Sequence, residues 1–417
     1  MFGQLWIKEC KQTAKSLTYW LIILVLILDF ATQLGGMEIM QKPKEGQEDY
    51  GWHTSNDKDI IMESTLGILA EEYNRESYTT YPIGFYKQVT LDESEDQKIA
   101  EILKEATGLD GRAEIDQKIE EWYGSQQDDS GQMTAPLALQ PSKGLSYERF
   151  EELMDQADSI LGGGSSYGAA YRKSNAQIPM TYEEALEEYH ALLEKDKITG
   201  GYARLFSDYM VIFLGILPVF LSVARGLRDR RAGMQELIYT RKCPSIVIVA
   251  SRYFAMLVML ILPVLMISLV PLSQCMAYGK AAALSVDMLA FVKYTFGWLV
   301  PTIMAVLAVG MFLTELTDTA LAVLLQGAWW FVGLFSGSQD ILHGGLYGWN
   351  LMPRHNTELN WAGYHSGFSQ LAANRILYAL SAIALVALTA FVYTMKRKGR
   401  LQIRGKILAN RKSKSKA

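Results

Sequence analysis

Six long apolar segments alternate with polar ones along this chain of 417 residues. A helix needs about 20 mainly apolar residues to cross the hydrocarbon core of a bilayer. The six segments have roughly that length and carry almost no charge, which disfavours buried core helices of a soluble protein. We therefore predict a mainly α polytopic membrane protein with six transmembrane helices, at 18–36, 206–225, 246–272, 290–314, 319–338 and 373–395.

The charged residues are concentrated between the first two apolar segments. Residues 37–205 contain 34 of the 44 acidic residues but only 16 of the 40 basic ones, so the net charge of −4 averages two unlike parts. A block of this length is long enough to bury a core of its own. It contains no cysteine, so it must fold without disulfide bonds.

Helical patterns dominate this acidic block. Asp92 with Glu95, and Thr181 with Glu184, have the spacing of capping boxes. An apolar stripe at helical spacing begins at Tyr147 and ends before the glycine run 162–164. That run lacks the Lys and Ser/Thr of a phosphate-binding loop. We predict an α-rich domain, with residues 124–144 forming a loop.

Basic residues predict the orientation of the chain. Lys8, Lys11 and Lys15 precede the first span, six basic residues lie in or beside the loop 226–245, and ten lie in the tail 396–417. Loops rich in Lys and Arg remain on the cytoplasmic side. We predict a multi-pass protein of the cell membrane with cytoplasmic termini and an extracellular domain at 37–205. The basic tail is then explained by anionic lipid rather than by nucleic acid.

Two flanking segments have more than one interpretation. Residues 1–17 show an apolar stripe typical of an amphipathic helix at the cytoplasmic interface, although they also fit an ordinary start of the first span. Residues 339–372 carry His343, His355 and His365, whose spacing matches no metal site. We predict short extracellular helices that dip into the outer leaflet there.

One acidic residue lies inside a span. Asp29 is about two-thirds of the way through the first apolar segment. An intramembrane acid is costly and often functional. Near the outer edge, however, a carboxylate also reaches water, so a functional role for Asp29 and a purely interfacial one both remain open.

Two motifs that mark large classes of enzymes are missing from the sequence. Neither GxxxxGK[ST] nor HExxH occurs, and those motifs place a phosphate cradle and a zinc site. We therefore predict no catalytic, metal or cofactor site on this chain.

The loop after the second span carries the functional signal. It reads ARGLRDRRAGMQELIYTRKCPS, in which Met234, Leu237 and Ile238 lie beside Glu236 between two basic clusters. If this loop served only to anchor the chain to anionic lipid, its basic residues alone would be sufficient. A short amphipathic helix between them suits docking into a groove on a cytosolic partner.

This loop resembles that of the permease subunits of ABC-2 type transporters, also called type V ABC exporters. In that family the loop has an acid, a glycine, a Glu-Leu pair and a later Pro-Ser, which here are Asp229, Gly233, Glu236–Leu237 and Pro244–Ser245. Asp stands where Glu is usual, and Pro244 comes about two residues later than in the family. The span arrangement resembles the family too, in a Gram-positive subgroup with a large extracellular domain.

The resemblance implies a division of labour between chains. The loop would be the coupling helix that docks on a separate ATPase subunit, which would bind ATP and Mg, and a second permease chain would complete a homodimer or heterodimer. The substrate implied is a peptide, lipid or drug-like molecule moved outward. The residues expected at the ATPase contact are Asp229, Arg230, Gly233, Met234, Glu236 and Leu237.

Other function classes fit the sequence less well. A membrane-anchored sensor would use the extracellular domain to bind a ligand, but the chain has no cytoplasmic signalling domain. A secondary transporter commonly has repeated halves and buried charges in its spans, and neither is visible. Paired carboxylates for an intramembrane enzyme are absent from the spans.

Overall fold

The computed structural model describes residues 1–82, 86–126, 137–169, 171–338, 349–355 and 357–401. The protein is mainly helical, as expected, with a few short strands. It divides into two units. The apolar unit contains Met1–Met40, Ala191–Gly337 and the described residues after 348, and the polar unit contains the described residues of Gln41–His190.

The apolar unit consists of helices and the segments that connect them. They are α1 (Phe2–Ala14), α2 (Leu17–Gln33), α8 (Thr199–Leu214), α9 (Leu217–Arg231), α10 (Gln235–Tyr239), α11 (Ser245–Ala281), α12 (Ala290–Tyr294), α13 (Val300–Thr317), α14 (Leu321–Ser338) and α15 (Trp361–Arg397). A π-helical turn, Thr295–Leu299, joins α12 to α13.

Among the residues that the structure describes, three helices are long and apolar enough to cross a membrane: Ser245–Ala281, Ala290–Thr317 and Trp361–Arg397. They coincide with three of the six predicted spans, and they indicate a membrane protein. Two further spans result if the bent pairs α1–α2 (66°) and α8–α9 (41°) each count as one. The apolar part of α14, Leu321–Leu334, is shorter, so the count of six stays a prediction.

The break between α8 and α9 leaves backbone carbonyls without helical partners, and α14 binds them. The Gln326 side chain donates to the Gly215 carbonyl at 2.7 Å, and Trp330 Nε1 donates to the Ile212 carbonyl at 2.7 Å. A bend in an apolar environment is tolerated only when such groups find new partners. These two bonds therefore hold α14 at the bend.

Helices α9 and α13 approach each other closely along a seam of small residues. An added Cβ at Gly310 would lie 1.9 Å from Ser222 Oγ, and one at Gly226 would lie 2.8 Å from Thr314 Cγ2. The four positions form two small-xxx-small pairs, Ser222 with Gly226 and Gly310 with Thr314. Such pairs allow membrane helices to pack backbone to backbone.

The polar unit has its own core. It contains α3 (Lys58–Asn74), α4 (Glu93–Thr107), α5 (Arg112–Gln126), α6 (Tyr147–Ile160), α7 (Tyr182–Glu194) up to His190, and four strands, β1 (Trp52–Thr54), β2 (Tyr78–Thr80), β3 (Lys87–Val89) and β4 (Gln177–Pro179). The strands form two antiparallel pairs, β1–β4 and β2–β3. Both predicted capping boxes are present, and the predicted stripe buries Phe150, Leu153, Met154 and Ala157.

Residues 339–372 differ from the predicted set of short dipping helices. Residues 339–348 lie outside the described part of the chain. Residues 349–355 and 357–360 contain neither helix nor strand, and 361–372 form the first turns of the 37-residue helix α15. The apolar run that suggested a start at residue 373 is only the second part of a longer helix, whose first part carries polar residues.

We expect Gly310→Val to destabilise the apolar unit, because the branched side chain forces α13 away from Ser222. Overpacking of this kind costs about 1–3 kcal/mol. Gly327→Val is the matched control, since a Cβ at Gly327 meets nothing within 4 Å. The measurement is the temperature at which the detergent-solubilised chain loses its monodisperse peak. Equal temperatures for the two variants would contradict a close seam.

Candidate functional site

The loop after α9 begins with a tight helix end. Gly233 adopts φ of +64°, a left-handed conformation that glycine adopts without strain. Its N–H bonds to the Arg230 carbonyl at 3.0 Å, and the Met234 N–H bonds to the Asp229 carbonyl at 2.9 Å. This pair of bonds is a Schellman motif. Gly233 therefore fixes the direction in which the chain enters α10.

Helix α10 presents apolar side chains on its surface. None of its residues is buried. Leu237 is 59% exposed and Met234, at its N-cap, is 43% exposed, while Glu236 is exposed beside them. The predicted docking residues Met234, Glu236 and Leu237 thus form one accessible surface, which we call the α10 surface.

The far end of α10 is held by the last helix. Arg397, in the final turn of α15, donates to the Tyr239 carbonyl at 2.8 Å, to the Cys243 carbonyl at 2.6 Å and to the Arg241 carbonyl. The Tyr239 ring also contacts the Tyr393 ring edge-on, with 5.4 Å between centroids. The Arg397 guanidinium therefore donates to three carbonyls, at the last residue of α10 and in the segment after it. These hydrogen bonds attach the loop to α15.

A buried ion network lies where α1, α9 and α11 meet. Both oxygens of Glu9 accept from Arg225 at 2.6 Å, and Arg225 also reaches Asp229 at 3.2 Å. Arg252 pairs with the other oxygen of Asp229 and lies 3.6 Å from Glu9. The Arg225 and Glu9 side chains are 9% and 10% exposed. The charges of two carboxylates and two guanidinium groups thus neutralise each other at a site that is largely shielded from solvent.

A second ion cluster joins α9, α13 and α15. Asp318, the left-handed C-cap of α13, accepts from Arg230 at 2.7 Å and from Lys396 at 2.8 Å. Lys396 also lies 3.9 Å from Glu315. These ion pairs therefore connect the C-terminal ends of α9, α13 and α15.

The structure divides the predicted docking residues into two groups. Asp229 and Arg230 are engaged in ion pairs within the chain, whereas Met234, Glu236 and Leu237 are on the α10 surface and Gly233 shapes the turn. Asp229 was expected to contact the ATPase, but it pairs with Arg225 on its own helix and with Arg252 on α11. The pairing with Arg252 was not predicted, because the two residues lie on different helices. The one signal for Glu9 was a lone acid in a basic N-terminal segment.

Helix α1 buries a charged residue beside its apolar stripe. Glu9 and Thr13 are buried, Leu5, Trp6 and Cys10 are half-buried, and the start of the stripe, at Phe2, is 42% exposed. The side of α1 that faces α11 therefore includes Glu9 as well as part of the predicted stripe.

Asp29 is buried, which does not fit the interfacial alternative in which its carboxylate reaches water. The residue is 8% exposed, and its Oδ2 has no hydrogen-bond partner among the described residues. Arg354 is the positive charge that acts on it. A functional role for Asp29 stays a prediction.

Residues 349–355 and 357–360 belong to the apolar unit and form neither helix nor strand. We call them the inner segment. Leu351, Met352 and His355 are at most 1% exposed. Irregular backbone is tolerated in apolar surroundings only when its polar groups are bonded. Two buried arginines supply many of those bonds. Arg204 donates to the Glu358 and Leu359 carbonyls, and Arg375 to those of Asn350 and Leu351.

Two further charged residues of this region are deeply buried. Asp208 and Arg375 lie at the outer ends of predicted spans, a position that favours contact with the interface, but they are 0% and 4% exposed. The Asp208 carboxylate accepts a hydrogen bond from the backbone N–H of His355 at 2.7 Å. Arg204 is paired through both terminal nitrogens with Asp196, at 3.1 and 2.9 Å. The inner segment is therefore fixed by charged groups on α8 and α15.

Comparison of the chain with protein-family models, with characterised proteins and with solved structures gives no match.

We expect Glu9→Gln to destabilise the apolar unit strongly. The variant leaves Arg225 and Arg252 with one carboxylate between them, and breaking a buried pair from one side costs about 3–5 kcal/mol. Lys8→Gln changes an exposed residue of the same helix and should change stability by less than about 0.5 kcal/mol. Thermal unfolding of the purified chain measures both. An unchanged midpoint for Glu9→Gln would show that the network contributes nothing.

We also expect a pH-dependent loss of stability from His355. Burial, and to a lesser extent the charge of Arg204, lowers the pKa of His355 to about 4. Since its unfolded pKa is about 6.5, the unfolded chain binds more protons between these values. The neutral ring thus stabilises the fold fully above about pH 6.5, and this contribution is lost as pH falls towards 4.

His355→Gln should flatten the dependence of the unfolding midpoint on pH between 6.5 and 4. His190→Gln replaces an exposed histidine and should leave the dependence unchanged. The same slope in both variants would contradict a buried neutral His355.

Proposed function

We propose that this chain is the membrane-spanning permease subunit of an ATP-driven ABC exporter, coupled to a separate ATPase chain. The observation that carries the proposal is the α10 surface. It is a short helix with exposed apolar side chains, held at one end by the Gly233 turn and at the other by Arg397. A docking element that transmits force needs both accessibility and firm attachment.

The composition of the α10 surface suits a protein partner. Leu237 and Met234 offer an apolar anchor of the kind that a helix inserts into a groove. Glu236 beside them offers a charge that selects a basic rim on the partner. In this proposal Asp229 and Arg230 position the loop through their internal ion pairs rather than by touching the ATPase.

The ion clusters support transmission from the α10 surface into the helices. The network around Glu9 ties the end of α9 to α1 and α11, and Asp318 ties it to α13 and α15. A push on α10 is therefore shared among five helices rather than absorbed by a flexible loop. Closure of two ATPase subunits around ATP and Mg would supply that push, because a partner that binds two conformations unequally shifts their populations.

Helix α15 connects the loop to the inner segment. Arg397 binds the loop, and Arg375, 22 residues earlier on the same helix, binds the inner segment. At 1.5 Å per residue these points are about 33 Å apart. Tilting of α15 would thus move the inner segment, which we propose as the part that opens the outward path.

The remaining parts of the proposal follow the predicted orientation. The α10 surface and both termini lie in the cytoplasm, the polar unit is extracellular, and six spans cross the cell membrane. A second permease chain, identical or related, completes the transporter. The substrate class is a peptide-, lipid- or drug-like molecule.

Co-purification from native membranes tests the proposal. We expect a stoichiometric partner that a photoreactive ATP analogue labels. Glu236→Lys with Leu237→Asp should lower its recovery at least about tenfold, because an apolar anchor and a reversed charge together exceed the 1.4 kcal/mol that tenfold represents. Lys242→Gln alters another exposed residue of the loop and should retain the partner.

Two outcomes would contradict the exporter proposal. One is a chain that purifies without an ATP-binding partner. The other is a partner that is retained equally by the double variant and by Lys242→Gln. In either case the membrane-anchored sensor becomes the leading hypothesis, with the polar unit as its ligand-binding part.

A further inference from the structure

A cavity of about 480 Å³ lies between the start of α15 and the segment formed by α12 and the π-helical turn. Its volume falls in the range of small-molecule sites, about 300–1,000 Å³. The walls are mostly aromatic and aliphatic. The polar side chains among the lining residues are Lys293, Tyr294, Trp298, Tyr364 and Arg375.

Stacked aromatic rings form one wall of this cavity. The Trp298 ring stacks on Tyr294 and on Tyr364, with centroids 6.1 and 6.4 Å apart, and Phe368 meets Tyr364 edge-on at 5.9 Å. The indole N–H of Trp298 is fixed by the Pro353 carbonyl at 3.0 Å. Rings held in this way give a preformed surface, so little ordering is needed when an apolar ligand enters.

Residues of the π-helical turn line the cavity. Turns of this kind are rare and occur frequently at functional sites. Gly297 lies within the turn and lines the cavity, and a Cβ added there would meet no atom within 4 Å. A larger side chain at this position would therefore occupy the cavity without displacing the backbone.

The charge of the lining is positive. Lys293 and Arg375 line the cavity, and no acidic residue is among its lining residues. Lys293 pairs with Asp287, which lies outside the cavity, at 2.5 Å, and remains 63% exposed. The partners of Arg375 among the described residues are neutral groups, namely the carbonyls of Trp298, Asn350 and Leu351, Thr302 Oγ1 and Asn374 Oδ1. Neutral acceptors leave its charge uncompensated, which favours an anionic ligand.

The rim indicates where the ligand comes from. Phe368 and Ile376 line the cavity and are 51% and 59% exposed. Both lie on α15, one of the helices that is apolar enough to span a membrane. Large exposed apolar side chains on such a helix face lipid, so the cavity opens towards the bilayer rather than towards water.

From these features we infer that the cavity binds an anionic phospholipid taken from the bilayer. One acyl chain lies against the aromatic wall, and the phosphate lies near Lys293. The lipid is a resident component of the protein, and the inference does not depend on coupling to an ATPase.

Native mass spectrometry of the full chain in detergent tests the site, with dioleoyl phosphatidylglycerol and dioleoyl phosphatidylcholine as probes. We expect one phosphatidylglycerol molecule to be retained in preference to phosphatidylcholine. Gly297→Leu should lower retention at least about tenfold, because the side chain takes the volume that the acyl chain needs. Gly327→Leu places the same side chain at another open helical glycine and should retain the lipid.

A second filling variant keeps the test decisive if Gly297→Leu fails to fold. Ala372→Phe fills the cavity from the opposite wall and should give the same loss. Lys293→Gln should lower the preference for phosphatidylglycerol about fivefold, since one basic residue near anionic lipid contributes about 1 kcal/mol. Lys280→Gln, which removes a basic residue that does not line the cavity, should leave the preference unchanged.

Three results would overturn the inference. The first is equal retention of phosphatidylglycerol by folded Gly297→Leu or Ala372→Phe and by Gly327→Leu. The second is equal retention of the two lipids by the unaltered chain. The third is displacement of the lipid by inorganic phosphate at the same concentration, which would indicate a site for the free anion alone.

Discussion

The close approach of α9 and α13 is the constraint on which the rest of the apolar unit depends. Gly226 and Gly310 remove the side chains that would separate the two backbones. At this separation Arg230 at the end of α9 forms an ion pair with Asp318 at the end of α13. The position of the loop depends on this contact, because α10 follows α9 after the turn at Gly233. A packing contact among uncharged residues therefore determines where the charged groups meet.

Local features were predictable from the sequence, and distant contacts were not. Three apolar runs became helices long enough to span a membrane, and Asp92 with Glu95 became a capping box, because both depend on neighbouring residues. The pairing of Glu9 with Arg225 joins positions 216 residues apart. No periodicity in either segment indicates the other, so this pair becomes visible only when α1 packs against α11.

The inner segment shows why hydropathy alone gave the wrong structure for 349–355 and 357–360. Its tryptophan and its histidine, near a predicted membrane edge, suggested interfacial helices. Leu351, Met352 and His355 are instead buried, and Arg204 and Arg375 bring donors to carbonyls of the segment. Arginine suits this task better than lysine, since a planar guanidinium with five N–H groups bonds several carbonyls at once and keeps its proton when buried.

The pairing of β1 with β4 has a consequence for the origin of the polar unit. Trp52–Thr54 and Gln177–Pro179 are adjacent antiparallel strands, so the chain returns near the end of this unit to a strand near its start. A unit built in this way closes on itself. A single genetic event can add or remove such an insertion without changing the helices that precede and follow it in the sequence. The polar unit can therefore diverge, or be exchanged between relatives, at a different evolutionary rate from the membrane helices.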